Sequence, residues 1–235
     1  MPNNTIPHYP GKELEAMSFA VNYHRWIIDE FEPYLGETVA EVGAGIGSVS
    51  KLLLGKRIKR LFAFEPSHNM SPLLEKELRQ EERAKAVNDF FSLRYAQVGF
   101  DSVVYINVLE HLQDDRAELA NALEALQPKG RVLLFVPALS WLYSELDKQI
   151  GHFRRYTKKE LTCLVSNVGF TLIKARYFDI AGIIPWYVNF VLLRRSIGSE
   201  SVSLYDKLVV PMMRLIESTV APPIGKNVIL IGKKA

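Results

Sequence analysis

Three glycines at alternate positions, Gly43, Gly45 and Gly47 in "AEVGAGIGSVS", follow a short apolar run and precede a helix start. Glycine lets a backbone press against a ligand, and the N–H groups of a helix's first turn attract negative charge. The dinucleotide fingerprint, however, wants its third glycine where this chain has Ser48. Charge discriminates further among the ligands such a loop can serve. Glu41 stands just before the loop, Ala44 lies within it, and no lysine or arginine occurs from Ala40 to Ser50. A carboxylate in that place repels a pyrophosphate and attracts a cation.

Glu65 ends the run "RLFAFE" and is followed by Pro66 and Ser67. A carboxylate at a strand end can accept two hydrogen bonds from vicinal ribose hydroxyls. Asn88, Asp89 and Phe90 end the next run, where an acid or amide accepts from an adenine amino group while an aromatic ring covers the base. Asn107 and Val108 close a fourth run. Taken singly, each has a plainer role: Glu65 as a surface acid, Asp89 as a helix cap, Asn107 as a strand terminator. Taken together, at successive strand ends, they describe a site for an adenosine with a positive centre and no phosphate, and S-adenosylmethionine is such a ligand.

The elements that must position these residues alternate along the chain. "TVAEV", "RLFAFE", "AKAVN", "DSVVYIN" and "RVLLFVP" read as strands, with helices over Val49 to Leu54, Leu73 to Leu78 and Leu119 to Leu126 between them. Such alternation predicts an α/β fold, a mostly parallel sheet with helices on both faces. Leu14, Met17, Val21, Ile28 and Phe31 predict an amphipathic helix ahead of the first strand, with His24 on the same stripe and Tyr23 and Trp26 as packing or lid residues. After "RVLLFVP" come a helical piece from Trp141 to Gln149, a helix opening at Thr157 with Glu160 at capping-box spacing, a strand near "FTLIKARYF", more apolar helix, and the run "NVILIGKK". With no repeat or linker, one domain is expected: a helical lid over 1–36, a cofactor core over 37–137 and substrate-side elements over 138–235.

"EVGAGIG", "FEPS", "NDFF", "DSVVYINVLEHL" and "LQPKGRVLLFVPA" resemble, in order, the motifs of the class I S-adenosylmethionine-dependent methyltransferases, of the type 11 and type 12 groups. The likeness spans roughly residues 38 to 137. It implies a Rossmann-like sheet of seven strands with the last antiparallel. It also implies that the loop from Glu41 to Gly47 bounds the methionine portion, Glu65 holds the ribose, Asp89 approaches adenine, and backbone from Asn107 to Leu109 flanks the cofactor. "LDKQIGHFRRYTKKEL" and "PPIGKNVILIG" are similar to a bacterial subgroup associated with glycan assembly, which implies a sugar or lipid-linked glycan acceptor.

Acceptor chemistry must sit at the carboxyl edge of the sheet. His152, in "GHFRRYT", and His111, in "INVLEHL", both map there and can take a proton from a hydroxyl; His152 is the first choice of base and His111 the second. A helix following His111 is expected to lower its pKa. Arg154, Arg155 and Tyr156 either bind an anionic acceptor or pair internally with Asp147 or Glu145. The five histidines form no close metal-ligand pair along the sequence and Cys163 is a lone cysteine, so no catalytic metal is expected.

Composition excludes little: 48% hydrophobic and 23% charged residues are ordinary, and a formal net charge of +3 does not point to nucleic acid. Cys163, between Leu161 and Leu164, reads as a small core residue, and the start of the chain lacks a secretory pattern, so a cytoplasmic protein is expected. The uncharged stretch Ile180–Leu193 would span roughly 21 Å as a helix, short of a ~30 Å bilayer core, and Pro185 should interrupt it. It can line an apolar pocket, pack on the core, or touch a membrane surface. "KRIKR", Lys56 to Arg60, maps to the opposite edge as a solvated run. N-methylation is the main alternative to O-methylation; a nicotinamide oxidoreductase and a non-catalytic cofactor-binding scaffold are the remaining rivals.

Overall fold

The computed structural model of the chain describes residues 20–195 and 198–235. Seven strands form one sheet: β1 (Thr38–Val42), β2 (Arg60–Phe64), β3 (Ala84–Val87), β4 (Phe100–Ile106), β5 (Leu126–Pro137), β6 (Thr171–Phe178) and β7 (Asn227–Lys233). Their order is β3-β2-β1-β4-β5-β7-β6. β1 to β5 pair in parallel, while β7 runs antiparallel to both β5 and β6. Strand order reverses between β1 and β4, the place where open α/β sheets form a ligand crevice at their carboxyl ends.

Eight α-helices accompany the sheet among the described residues: α1 (Val21–Phe31), α2 (Ser48–Leu54), α3 (Ser71–Leu78), α4 (Asp115–Ala125), α5 (Glu145–Gln149), α6 (Lys158–Val168), α7 (Ile183–Trp186) and α8 (Ser199–Thr219). Strand side chains alternate between two cores. Val103, Tyr105, Leu134 and Val136 face one core with Leu119 of α4 and Leu161 of α6. Val104, Leu133 and Phe135 face the other with Trp26 of α1, Leu53 of α2, Leu74 of α3 and Val210 of α8. This period of two, buried on both faces, is why the central strands read as continuous apolar runs.

α1 is secured from far along the chain. Ala20 offers no side-chain cap, and the Asp206 carboxylate of α8 instead accepts from Asn22 N (3.0 Å) and Tyr23 N (2.8 Å). Trp26 lies tilted over Phe178 at 3.9 Å between ring centroids. Thr157 and Glu160 form the expected capping box at the start of α6.

Several sequence expectations need correction. Cys163 is exposed: Leu161 and Val165 are the residues that α6 turns into the core, and position 163 falls on the outer side of that turn. Leu126, expected to end a helix, opens β5, its backbone pairing with Phe100 of β4. Pro185 does not break its segment, because it sits in the first turn of α7, where a missing N–H costs no intrahelical bond, and the chain continues as a π-helical turn over Tyr187–Leu192. Leu14 and Met17 of the expected N-terminal stripe lie outside the described residues.

Replacing Asp206 with alanine should strand one buried and one part-buried N–H group at the start of α1 and destabilise the protein by about 1–3 kcal/mol, with Asp206→Asn intermediate. Chemical denaturation of the two variants checks this, and an unchanged midpoint for Asp206→Ala would remove the cap from the account.

Candidate active site

The glycine loop is shaped by contacts on both sides. Gly43 and Ala44 donate to the Phe64 carbonyl (2.9 Å each), which closes the end of β1 against β2. Gly43 has φ of 72°, and a Cβ there would stand 2.5 Å from Val108 Cγ2, so only glycine lets the β4 loop come this close. Asn107 itself lies in the left-handed region, φ 53°, with its N–H on the Phe135 carbonyl at 2.8 Å. Gly47, φ 91°, is the N-cap of α2 and packs toward Leu74 and Glu77.

Glu65 ties two loops together. One carboxylate oxygen accepts from Gly45 N and the other from Ser67 N, both at 2.9 Å, and the residue is buried. Each oxygen retains a second lone pair for a ligand. Glu41 is buried beside it with one partner, the Ser50 hydroxyl at 2.5 Å. Burial, aided by the neighbouring Glu65 charge and opposed by the Ser50 hydrogen bond, pushes the Glu41 carboxyl up to about 8. Neither acid has an ion-pair partner among the described residues.

These residues line a cavity of about 590 Å³ that runs along the carboxyl edge of the sheet. Glu41, Gly43, Ala44, Gly45, Glu65, Pro66, Ser67, Asp89, Phe90, Asn107 and Val108 all reach it. Gly47 and Asn88 do not; Gly47 shapes the helix start and Asn88 is exposed. Asp89 accepts from Phe90 N (2.8 Å) and Tyr95 Oη (3.0 Å) and pairs with Arg94. Sequence reasoning passed over Met70 and Phe91, which also line the cavity. A cationic adenosyl group fits this lining: two buried acids without a counter-cation, a glycine cradle a side chain would fill, and an acid–aromatic pair at the far strand end.

The opposite end of the cavity carries His111, His152, Arg155 and Trp186. The two imidazoles meet edge to face with centroids 4.5 Å apart. Asp147 organises this end. It accepts from Ser144 N (2.8 Å) and Ser144 Oγ (2.7 Å), and from Arg155 Nε (2.9 Å), and it holds His152 Nδ1 at 2.8 Å. His152, Arg155 and Ser144 together keep the Asp147 carboxyl below its ordinary value despite burial. In a neutral imidazole this contact favours the tautomer with its proton on Nδ1 and its lone pair on Nε2.

Burial, reinforced by the nearby His152, lowers His111 to about 4. The direction matches the sequence expectation and the cause does not: His111 ends a 3-10 turn, and α4 begins only at Asp115. Glu110, next to it, is fully buried, and neither of its oxygens has a hydrogen-bond partner. Burial raises it to about 8. Nothing in the sequence marks it, since an acid after a strand usually faces water.

Of the predicted acceptor-binding cluster, Arg155 lines the cavity, paired with Asp147 and with its guanidinium 4.6 Å from the Trp186 ring centre. Arg154 and Tyr156 stand apart from the cavity lining, both on Asp115 Oδ2, at 2.7 and 2.8 Å. Tyr23 reaches the cavity with its hydroxyl on Asp179 and Asn227, whereas Trp26 packs beneath.

Glu65→Ala should weaken S-adenosylmethionine by roughly 10- to 100-fold, the worth of hydrogen bonds to a charged group; equilibrium binding unaltered by that change would remove Glu65 from the ribose role. Glu41 gives a pH signature. A carboxyl raised in the folded chain to about 8 from 4.5 releases its proton when a cation binds beside it, so cofactor affinity should rise with pH toward 8 and then level. By the same linkage the ligand-free fold loses stability over that interval, because the folded state holds a proton that the unfolded chain gives up. Calorimetry in buffers of different ionisation enthalpy measures the released proton, which Glu41→Gln should abolish.

Comparison with known proteins agrees with this geometry. A family model described as "Methyltransferase domain" matches residues 22–175. No curated protein matches the chain. Among solved structures, a SAM dependent methyltransferase from Archaeoglobus fulgidus is similar with TM-score 0.61 at 16% identity, covering 94% of this chain and 99% of that one. A phosphoethanolamine N-methyltransferase 2 from Haemonchus contortus, in complex with phosphomonomethylethanolamine and S-adenosylhomocysteine, gives TM-score 0.63 at 16% identity, covering 96% of this chain and 58% of that one. The [4+2]-cyclase SpnF gives TM-score 0.60 at 14% identity over 91% and 81%. Likeness at these identities establishes the fold, which hosts more than one chemistry. The family match, over more than half the chain, carries the assignment: the protein belongs to the methyltransferase domain family and is an S-adenosylmethionine-dependent methyltransferase of class I fold.

Proposed function

We propose that this enzyme methylates a hydroxyl oxygen of a sugar or lipid-linked glycan. The observation that carries the reading is the composition of the cavity's far end, where two imidazoles, that of His152 held by Asp147, line the cavity together with Trp186, from which an exposed apolar segment continues. S-adenosylmethionine supplies the methyl group and leaves as a neutral thioether. Displacement at a sulfonium needs chiefly alignment, and a hydroxyl acceptor also needs its proton withdrawn. His152, fixed by Asp147, and His111, held by its burial and by the backbone of Ile150 and Gly151, are the acceptor-activating residues.

The surface around Trp186 supports an amphiphilic acceptor. Trp186 donates from Nε1 to the Leu142 carbonyl at 3.1 Å, while Ile184 is 72% exposed and Val188, Leu192 and Leu193 are also exposed. Arg194 and Arg195 follow directly and face solvent. On α8, Leu204, Leu208, Met212 and Leu215 form an exposed stripe at helical spacing. No helix among the described residues is long and apolar enough to cross a membrane. Apolar residues edged by arginines suit contact with a bilayer surface, where a lipid-linked acceptor resides.

The test is transfer of a labelled methyl group to three acceptor classes: soluble sugars, polyprenyl-linked glycans and small amines. Label should enter the hydroxyl acceptors, most strongly the lipid-linked ones, as an alkali-stable ether. His152→Ala and His111→Ala should each lower kcat by about 10²-fold or more while cofactor affinity is kept. Label confined to amines, or full turnover in both variants, would refute the assignment.

A further inference from the structure

Glu110 and the two histidines meet at the rear of the acceptor end of the cavity, and the reaction as described gives Glu110 no task. One ligand atom from each of Glu110, His111 and His152 lies within 4.8 Å of the others. His152 Nε2 stands 3.8 Å from Glu110 Oε1, the imidazole rings are 4.5 Å apart, and the Glu110 carboxyl group, fully buried, has no hydrogen-bond partner among the described residues. We propose that Glu110, His111 and His152 form the binding site of one divalent first-row transition cation of the Zn²⁺ class.

The donor set is chemically apt. Two imidazoles and one carboxylate are the protein ligands of one group of zinc sites that keep a coordination position open, with bonds of about 2.0–2.2 Å. Ligand atoms on one tetrahedral ion with such bonds stand roughly 3.3–3.6 Å apart, so closing the observed cluster takes side-chain shifts of up to about 1 Å, within the reach of rotations about the side-chain bonds. The surrounding shell is already in place. Asp147 orients His152 through Nδ1, as the carboxylate behind a metal-bound histidine does, and is itself held by Ser144 and Arg155. Because Arg155 pairs with Asp147, Glu110 is the carboxyl group left to meet the charge of a cation at the cluster. Along the sequence His111 and His152 are too far apart to suggest a metal pair; the crossover after β5 brings them together.

This site rests on the placement of His111 and His152 at the acceptor end, and it specifies how they act. A cation there would bind an acceptor oxygen and make its hydroxyl more acidic, so His152 would work as a ligand through the lone pair that otherwise faces the acceptor proton.

Untagged full-length chain, stripped with a chelator, should be titrated with Zn²⁺ by calorimetry and with Co²⁺ by visible absorption, without cofactor or acceptor. One saturable equivalent is expected, with intensified cobalt d–d bands. Glu110→Gln and His152→Ala should each weaken the site tenfold or more, and Asp147→Asn, a positioning change, should weaken it while cobalt still binds. Glu110→Gln is isosteric and keeps a neutral polar side chain in the buried position, so its folding is secure, and far-UV circular dichroism checks the others. Absence of a saturable site in the wild type, or a site that Glu110→Gln leaves intact, overturns the proposal. If the histidine variants abolish methyl transfer while the wild type binds no cation, the acceptor-side roles stand and the metal site falls.

Discussion

Two carboxylates, Glu41 and Glu65, are buried at neighbouring strand ends of a parallel sheet with no ion-pair partner among the described residues. The rest of the site follows from how each is accommodated. Glu65 is satisfied by backbone: its bonds to Gly45 N and Ser67 N set the distance between the β1 and β2 loops. Glu41 has only the Ser50 hydroxyl, and burial beside a second acid makes its ionisation costly until a positive group arrives. A cofactor whose charge is cationic relieves that cost, whereas a pyrophosphate would add to it. The glycine cradle, closed by Val108 against Gly43, brings the ligand near enough for the effect to matter.

The acceptor end is built on the opposite principle, a carboxylate with a surplus of partners. Asp147 gathers Ser144, His152 and Arg155, and Arg155 in turn lies over Trp186, so one acid couples the imidazole's orientation to the apolar segment that follows β6. Arg155 also donates to the Ala138 carbonyl just past β5 (3.2 Å), which anchors the network to the sheet. His152 and Arg155 therefore inherit the rigidity of the sheet although they sit on loops. Lys226, paired with Asp179 and lying over the Tyr23 and Trp186 rings, closes the same wall from the start of β7.

How much of this was legible in the sequence depends on the range of each interaction. The five parallel strands are legible from local alternation, and the placement of candidate residues at their ends from glycine and acid types at strand termini; β1 runs over Thr38–Val42 as the periodicity indicates. The capping box at Thr157 is equally local. Long-range polar pairing is not readable in that way. Asp206 looks like an exposed helix acid until the fold sets it on the first turn of α1, and Glu110 looks like an ordinary loop acid until the segment carrying His152 covers it. The preference of Arg154 and Tyr156 for Asp115 likewise follows from a chain crossing that local spacing does not encode. The exposure of Cys163 follows from helical phase, which its flanking leucines do not reveal.

The most direct measurement is a calorimetric titration of the wild-type chain with S-adenosylmethionine and, separately, with an oxidised nicotinamide dinucleotide. The account predicts saturable one-to-one binding of the sulfonium and no detectable heat with the dinucleotide. Saturation by the dinucleotide with silence from the sulfonium would contradict it.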